Sequence, residues 1–178
     1  MDASFWIAQV LGLIALVLVC LSYNFNTKRL FFFYQILANI FYASSFLSLG
    51  VIIGGANTIV SILRVSVLFY LEKKNKSPSK LLYIFFALAY LTLGIVFFET
   101  PLDLLAIVSY EIFNLAMFTK NMRLIRILMV APNLMIAIYN ILCMTYTNAI
   151  LDFIEISVLC FSIYRFRSKE IDKIKYLL

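Results

Sequence analysis

The stretch Leu68-Phe69-Tyr70-Leu71-Glu72-Lys73-Lys74-Asn75-Lys76-Ser77-Pro78-Ser79-Lys80-Leu81-Leu82-Tyr83-Ile84-Phe85-Phe86 decides the fold. A short segment dense in lysine, serine and proline separates two continuously apolar runs. The same alternation continues outward in both directions. Basic residues recur at 28–29, 120–126 and 165–175, and with 73–80 these segments hold every one of the 15 Lys and Arg except Arg64. The turns between them, near residue 50, at 99–103 and at 145–152, contain no Lys or Arg. A chain that crosses a bilayer repeatedly, with all its basic loops on one side, has this pattern. Arg64 lies inside an apolar run, and a charge at membrane depth marks a functional-site candidate.

Composition agrees. Of the 178 residues, 64% are hydrophobic and 13% charged, whereas soluble domains average roughly 45–50% and about 25%. Mean hydropathy is +0.99. The formal net charge of +6 would suggest nucleic acid in a soluble protein. Here the basic residues are placed to set orientation and to meet anionic headgroups, so nucleic acid is excluded as a partner. The chain has no histidine, which excludes imidazole relays and His-based metal sites. Cys20, Cys143 and Cys160 stand singly in apolar surroundings, without metal-ligand or redox spacing. No cofactor is expected. No phosphate loop or paired nucleophile and base is present, and an enzyme is not expected. With Asp2 and no basic residue before the first apolar run, that run reads as a retained helix rather than a cleaved signal.

About 20 helical residues span a hydrocarbon layer of about 30 Å. Seven stretches qualify: 4–24, 28–48, 51–71, 81–98, a short one at 102–118, 122–143 and 147–166. They are continuously apolar, unlike the alternating strands of a barrel. The expected fold is an all-α polytopic membrane protein with seven transmembrane helices. Seven crossings put the N-terminus outside and the basic C-terminus in the cytoplasm. The tail at 168–178 either extends the last helix or lies at the surface with Ile171, Ile174, Tyr176 and Leu177 inward.

Sliding the chain by 94 residues aligns the first three stretches with the last three without a gap. Arg29-Leu30 then falls on Arg123-Leu124, Asn39 on Asn133, Ala43 on Ala137 and Tyr70 on Tyr164. The Asn pair carries most weight, because Asn is rare in hydrocarbon. The fourth stretch restores parallel orientation between copies of three helices each. The expected organisation is a first three-helix repeat at 1–72, a basic loop and linker helix at 73–99, a second repeat at 100–167 and a tail at 168–178.

Three segments carry a resemblance: Trp6-Ile7-Ala8-Gln9-Val10-Leu11-Gly12, Gly55-Ala56-Asn57-Thr58-Ile59-Val60-Ser61-Ile62-Leu63-Arg64, and Pro101-Leu102-Asp103-Leu104-Leu105-Ala106 followed by Ala116-Met117-Phe118. Over nearly its whole length the chain resembles the bacterial inner-membrane proteins of the YgjV family. The resemblance implies an inner-membrane location and brings no reaction with it. The three-one-three plan is also similar to that of the SWEET and PQ-loop transporters, in which two three-helix bundles enclose a midplane solute site and rock about helix prolines. Here Pro132 has Ala38 at the equivalent place in the second stretch, Pro101 lies only at the start of the fifth, and no Pro-Gln pair occurs. Proline-hinged rocking and a sugar substrate therefore do not carry over.

Polar residues inside the spans are the candidate solute-binding groups. Asn39 and Asn133 fall at mid-helix, as do Ser61, Glu155 and Glu111, with Arg64 and Asn114 about one turn toward the cytoplasm. Asn57, Ser61 and Arg64 follow i, i+4, i+7 on one helical face. Asn148, Asp152 and Glu155 repeat that spacing, as do Gln35, Asn39 and Tyr42. Such faces turn toward the bundle or toward water. Two readings of the Asn residues stand: interhelical glue, worth about 0.6 kcal/mol each, or a solute site. Arg64 has two candidate partners, Glu155 and Glu111, which together leave one carboxylate in excess, able to bind a proton or a cationic group. Gly54-Gly55 reads as close helix packing, and Phe31-Phe32-Phe33-Tyr34 as an aromatic anchor followed by lipid-facing packing. The leading functional expectation is a transporter or facilitator of a small polar solute. The alternative is a non-transporting scaffold or sensor that binds a partner protein. The expected partners are the bilayer and the solute, and a homo-oligomer is left open.

Overall fold

A computed structural model describes residues 3–144 and 146–175, without the side chains at 3, 4, 53, 146, 147 and 167–175. The described chain is all-helical. In order the helices are α1 (Ala3–Tyr23), α2 (Lys28–Ser48), α3 (Ile52–Lys73), α4 (Lys80–Val96), α5 (Asp103–Phe118), α6 (Met122–Leu142) and α7 (Tyr146–Lys175). Four segments, Phe5–Tyr23, Lys28–Ser48, Gly54–Lys73 and Met122–Leu142, are long and apolar enough to cross a membrane, and Lys80–Val96 is apolar but shorter. The backbone of α7 continues past the basic residues at 165–167 to Lys175, so the first part of the expected tail is helical. Residues 176–178, with Tyr176 and Leu177, lie outside the described residues, as do the side chains of Ile171 and Ile174.

Consecutive helices pack against each other, and α7 returns to α1. The order is therefore a ring of neighbours, with α4 packed more on α5 than on α3. Apolar side chains cover the exterior: Trp6, Leu13, Phe85, Ile95, Phe153 and Phe161 are all exposed. Water tolerates no such surface on a monomer, and lipid does. The interior mixes apolar side chains (Val19, Phe31, Phe32, Val65, Ile125, Met129, Leu159) with buried polar ones.

The helix ends follow local chemistry. Ser79 caps α4 by accepting from the Leu82 amide at 3.2 Å, and Asn121 caps α6 by accepting from the Arg123 amide at 2.8 Å. Helix α2 ends through Gly50, whose φ of +71° lies in the left-handed region that glycine enters without a Cβ clash.

Three basic residues bond the ends of neighbouring helices. Lys28, in the first turn of α2, donates to the Thr119 carbonyl at the end of α5 at 2.7 Å. Arg29 reaches the end of α3, donating to Asn75 Oδ1 at 3.1 Å and to the Glu72 carbonyl at 3.5 Å. Arg126, in the first turns of α6, donates to the Phe25 carbonyl at 2.6 Å and the Tyr23 carbonyl at 3.3 Å, beyond and at the end of α1. The last carbonyls of a helix lack intrahelical partners and carry the negative end of its dipole. Cations from the starts of α2 and α6 meet that need. One end of the bundle thus gathers the basic segments, and the other gathers Asp103 and Asp152.

The aromatic run differs from expectation. Phe31 and Phe32 are 0% and 2% exposed and belong to the core; only Phe33 faces outward. The tight turn at 24–27 tucks the start of α2 beneath the end of α1. Phe31 then packs near Tyr23, with ring centroids 6.4 Å apart, and Tyr34 stacks on Phe25 at 4.9 Å. Gly54 and Gly55 behave as close-packing residues. A Cβ on Gly54 would lie 2.8 Å from the Phe46 ring, and one on Gly55 3.2 Å from Leu47.

Candidate functional site

The candidate residues separate into two groups on opposite sides of the ring. The first lies among α1, α2, α6 and α7. Glu155 on α7 accepts a hydrogen bond from the Tyr42 hydroxyl of α2 at 3.0 Å and a long one from the Tyr23 hydroxyl of α1 at 3.5 Å. Tyr23 itself is fully buried. Its carbonyl accepts from Arg126 at 3.3 Å and from the Ser162 hydroxyl of α7. One turn before Glu155, Asp152 accepts from Asn140 Nδ2 of α6 at 2.7 Å. Gln35 of α2 donates to Ser22 of α1 at 2.9 Å, which fits the interhelical glue expected of it. Asn148, on the same face of α7, is exposed.

Asn39 and Asn133 occupy this side too, yet they do not bond to each other. Asn39 Nδ2 donates to the Gln35 carbonyl at 2.7 Å, and Asn133 Nδ2 to the Met129 carbonyl at 2.9 Å. Each reaches four residues back along its own helix. Residues 94 apart thus make the same local bond.

The second group lies among α3, α4 and α5. Arg64 is 3% exposed, and its Nε and Nη1 have no hydrogen-bond partner among the described residues. Its guanidinium lies 5.0 Å from the ring centroid of Tyr90 on α4, a cation–π distance. The Tyr90 hydroxyl shares a hydrogen bond with Ser61 at 2.8 Å, and its ring stacks on Tyr110 of α5 at 5.6 Å with planes 6° apart. The charge of Arg64 reaches both Tyr110 and Glu111. No hydrogen bond joins Arg64 to Glu111, and Glu111 Oε1 is buried without a partner among the described residues. Asn114, one turn on and 0% exposed, donates to the Tyr83 carbonyl at 3.3 Å and leaves its Oδ1 unpartnered. Asn57 likewise keeps an unpartnered, buried Oδ1.

Asn57, Tyr90, Tyr110, Gly94, Asp103 and Tyr139 border a cavity of about 80 Å³. It extends toward the end of the bundle opposite the basic loops. There Asp103 accepts from the Tyr139 hydroxyl at 3.0 Å and from the backbone amides of Thr100 and Glu99 at 2.6 and 3.0 Å. These bonds tie the 99–103 turn to α6. The cavity is not at Asn39 or Asn133, where the repeat argument would centre it.

The geometry therefore places Asn57, Ser61, Arg64, Glu111 and Asn114 on α3 and α5 to one side, with Ser61 and Arg64 against Tyr90 and Asn114 against the Tyr83 carbonyl. It places Glu155, Asn39 and Asn133 on the other. The carboxylate facing Arg64 is Glu111, whereas Glu155 is held by phenol hydroxyls. Sequence reasoning missed Tyr90, Tyr110, Tyr23 and Arg126. A lone tyrosine in an apolar run carries no periodic signal. Arg126 was hidden inside a basic segment, although the apolar residues on both sides of it hinted at burial.

No curated protein and no solved structure matches the chain. The family described as Imp-YgjV, bacterial inner membrane protein, matches it over residues 6–170. That match takes in α2 to α6, most of α1 and α7 and both polar groups, and the chain belongs to this family of bacterial inner membrane proteins.

Proposed function

We propose that the protein is an inner-membrane transporter or facilitator of a small polar solute, bound between α3, α4 and α5. The single observation that carries this reading is the set of buried atoms without partners on facing helices: Arg64 Nε and Nη1, Asn57 Oδ1, Glu111 Oε1 and Asn114 Oδ1. Unmet hydrogen-bonding capacity in a low-dielectric interior costs free energy. It persists where a solute or water meets it. Of these groups Asn57 borders the cavity of about 80 Å³.

In this reading all seven helices cross the bilayer, with the N-terminus outside and the C-terminus cytoplasmic. The gathering of basic segments at one end supports that orientation. The reading also keeps the two-repeat plan, similar to that of the SWEET and PQ-loop group. Helices α2 and α6 are both 21 residues long and start 94 residues apart, at Lys28 and Met122, and α3 and α7 start at the same offset, at Ile52 and Tyr146. Helices α2 and α6 are each flanked by the two neighbours of their own unit. The solute site, however, lies to one side of the plane between the units.

Uptake into proteoliposomes tests the proposal, using a mixed panel of labelled small amino acids, polyols, amines and carboxylates. At least one class enters faster than into protein-free vesicles, and Arg64→Gln removes the excess. If no class enters above the blank, the transporter reading is wrong. The second reading is a scaffold or sensor for a partner protein. It expects no uptake.

A further inference from the structure

We infer that Glu155 is a proton site and that the proton taken up there is the coupling ion for solute passage. This rests on the transporter reading and adds its driving force. Glu155 lies across the ring from Arg64, in the polar group that the solute site does not use. It is partly buried, nine residues into α7. Among the described residues only phenols bond its two oxygens: Tyr42 of α2 on Oε1 at 3.0 Å and Tyr23 of α1 on Oε2 at 3.5 Å. Cys20 and Tyr23 on α1, Tyr42 on α2 and Asp152 on α7 are the titratable groups within reach of its charge. Helix α6 brings the neutral Asn133, beside the Tyr23 hydroxyl. Its Arg126 bonds the Tyr23 and Phe25 carbonyls rather than the acid.

An ionised acid at membrane depth without a cation is costly, and two neutral hydroxyls offset only part of that cost. A proton removes the charge. A carboxylate has about four lone-pair positions, so one phenol donor on each oxygen leaves a place for a proton. A larger cation has to displace a tyrosine. The two sides of Glu155 differ. Toward the outer end Asp152 lies one turn away and accepts from Asn140 at 2.7 Å, and Asn148, a turn further, is exposed. These positions share one helical face and form a polar stripe from the start of α7 to the acid. Toward the basic loops stand Val19, Phe31, Ile125, Met129 and Leu159, all buried. The proton therefore enters from outside. A hydronium gives it to the carboxylate, leaving water and a neutral acid, and the acid later returns it to water on the cytoplasmic side. The new O–H needs an acceptor. One tyrosine oxygen supplies it, and that phenol's own proton turns elsewhere. Protonation thus changes the bonds by which α7 holds α1 and α2.

The experiment uses the full chain in nanodiscs and in proteoliposomes. In nanodiscs, infrared difference spectra between acid and alkaline buffer should show a titrating carboxyl band that Glu155→Gln deletes and Tyr42→Phe shifts. The first variant removes the charge at nearly equal size and the second keeps the acid, so one is read even where the other folds poorly. In proteoliposomes with the membrane potential clamped, the labelled panel of small amino acids, polyols, amines and carboxylates is offered with and without an inward proton gradient. With one proton per solute, one class should accumulate up to about tenfold per pH unit of gradient, and Glu155→Gln should lose that accumulation. A spectrum that Glu155→Gln leaves unchanged would overturn the proton site. So would a melting temperature that sodium chloride raises over choline chloride in the parent and not in Glu155→Gln, which would mark a sodium site. Uptake equal with and without the gradient would overturn the coupling and leave transport intact. Uptake of no class would remove the transporter reading and the coupling with it, while the infrared band still decides whether Glu155 binds a proton.

Discussion

The Tyr42 hydroxyl donates to Glu155 Oε1 at 3.0 Å, across 113 residues of chain. This bond joins α2 of the first helical unit to α7 of the last. Tyr23 adds a longer bond to the other carboxyl oxygen, so two phenols from two helices hold one acid. Removal of one hydroxyl leaves the acid undersatisfied in a poorly solvated interior. Tyr42→Phe is expected to lower stability by about 1–2 kcal/mol, read as thermal unfolding in detergent. Combined with Glu155→Leu, the same change should cost markedly less, because its partner is already gone. Additive costs would show that the contact contributes nothing.

Arg126 ties α1 to α6 and α7. It is 1% exposed, donates to the Tyr23 and Phe25 carbonyls, and lies 4.2 Å from the Phe166 ring centroid. Arg126→Leu keeps the apolar bulk and loses the donors. We expect a loss of about 2–3 kcal/mol, measured by thermal unfolding in detergent. Arg126→Lys should rescue little, since an ammonium lacks the planar fork. Full rescue by lysine would mean that charge alone matters there.

Gly54 sets the approach of α3 to α2. A Cβ at this position would meet Phe46 ring atoms at 2.8 Å, so Gly54→Val is expected to cost about 1–3 kcal/mol through overpacking. Phe46→Ala in the same chain should recover part of that loss. A Gly54→Val protein that melts like the parent would show that the interface gives way freely.

Topology has a direct readout in thiol accessibility. Cys143 is exposed near the end of α6, at the end of the bundle away from the basic loops. Ser77 is exposed in the loop at 74–79. In a chain with Cys20 and Cys160 replaced by serine, an impermeant maleimide should label Cys143 from the periplasmic side of spheroplasts. A Ser77→Cys thiol should react only after lysis. Labelling of both from one side would remove the alternating path of the helices.

Some features were legible in one dimension because their cause is local. Long apolar runs, caps such as Ser79 and Asn121, and the breaks at 49–51 and 74–79 announce helix limits through residues a few positions apart. At an offset of 94 residues α2 and α6 have the same length, and Asn39 and Asn133 each bond the carbonyl four residues back. Of the residues that depth and helical face singled out, Ser61 and Arg64 lie against Tyr90.

What the sequence by itself determined is therefore the helical, lipid-solvated character of the chain, the extent of its helices and the residues too polar for hydrocarbon. Those follow from solvation and from backbone periodicity, which each segment obeys alone. Which polar groups meet was decided only in three dimensions. Glu155 and Glu111 are both acids at similar depth, and Arg64 could have faced either. The ring order of helices put α4 and α5 next to α3 and put α7 against α1. Packing between distant segments, not depth or spacing, gave Arg64 its neighbour and left Glu155 to the tyrosines.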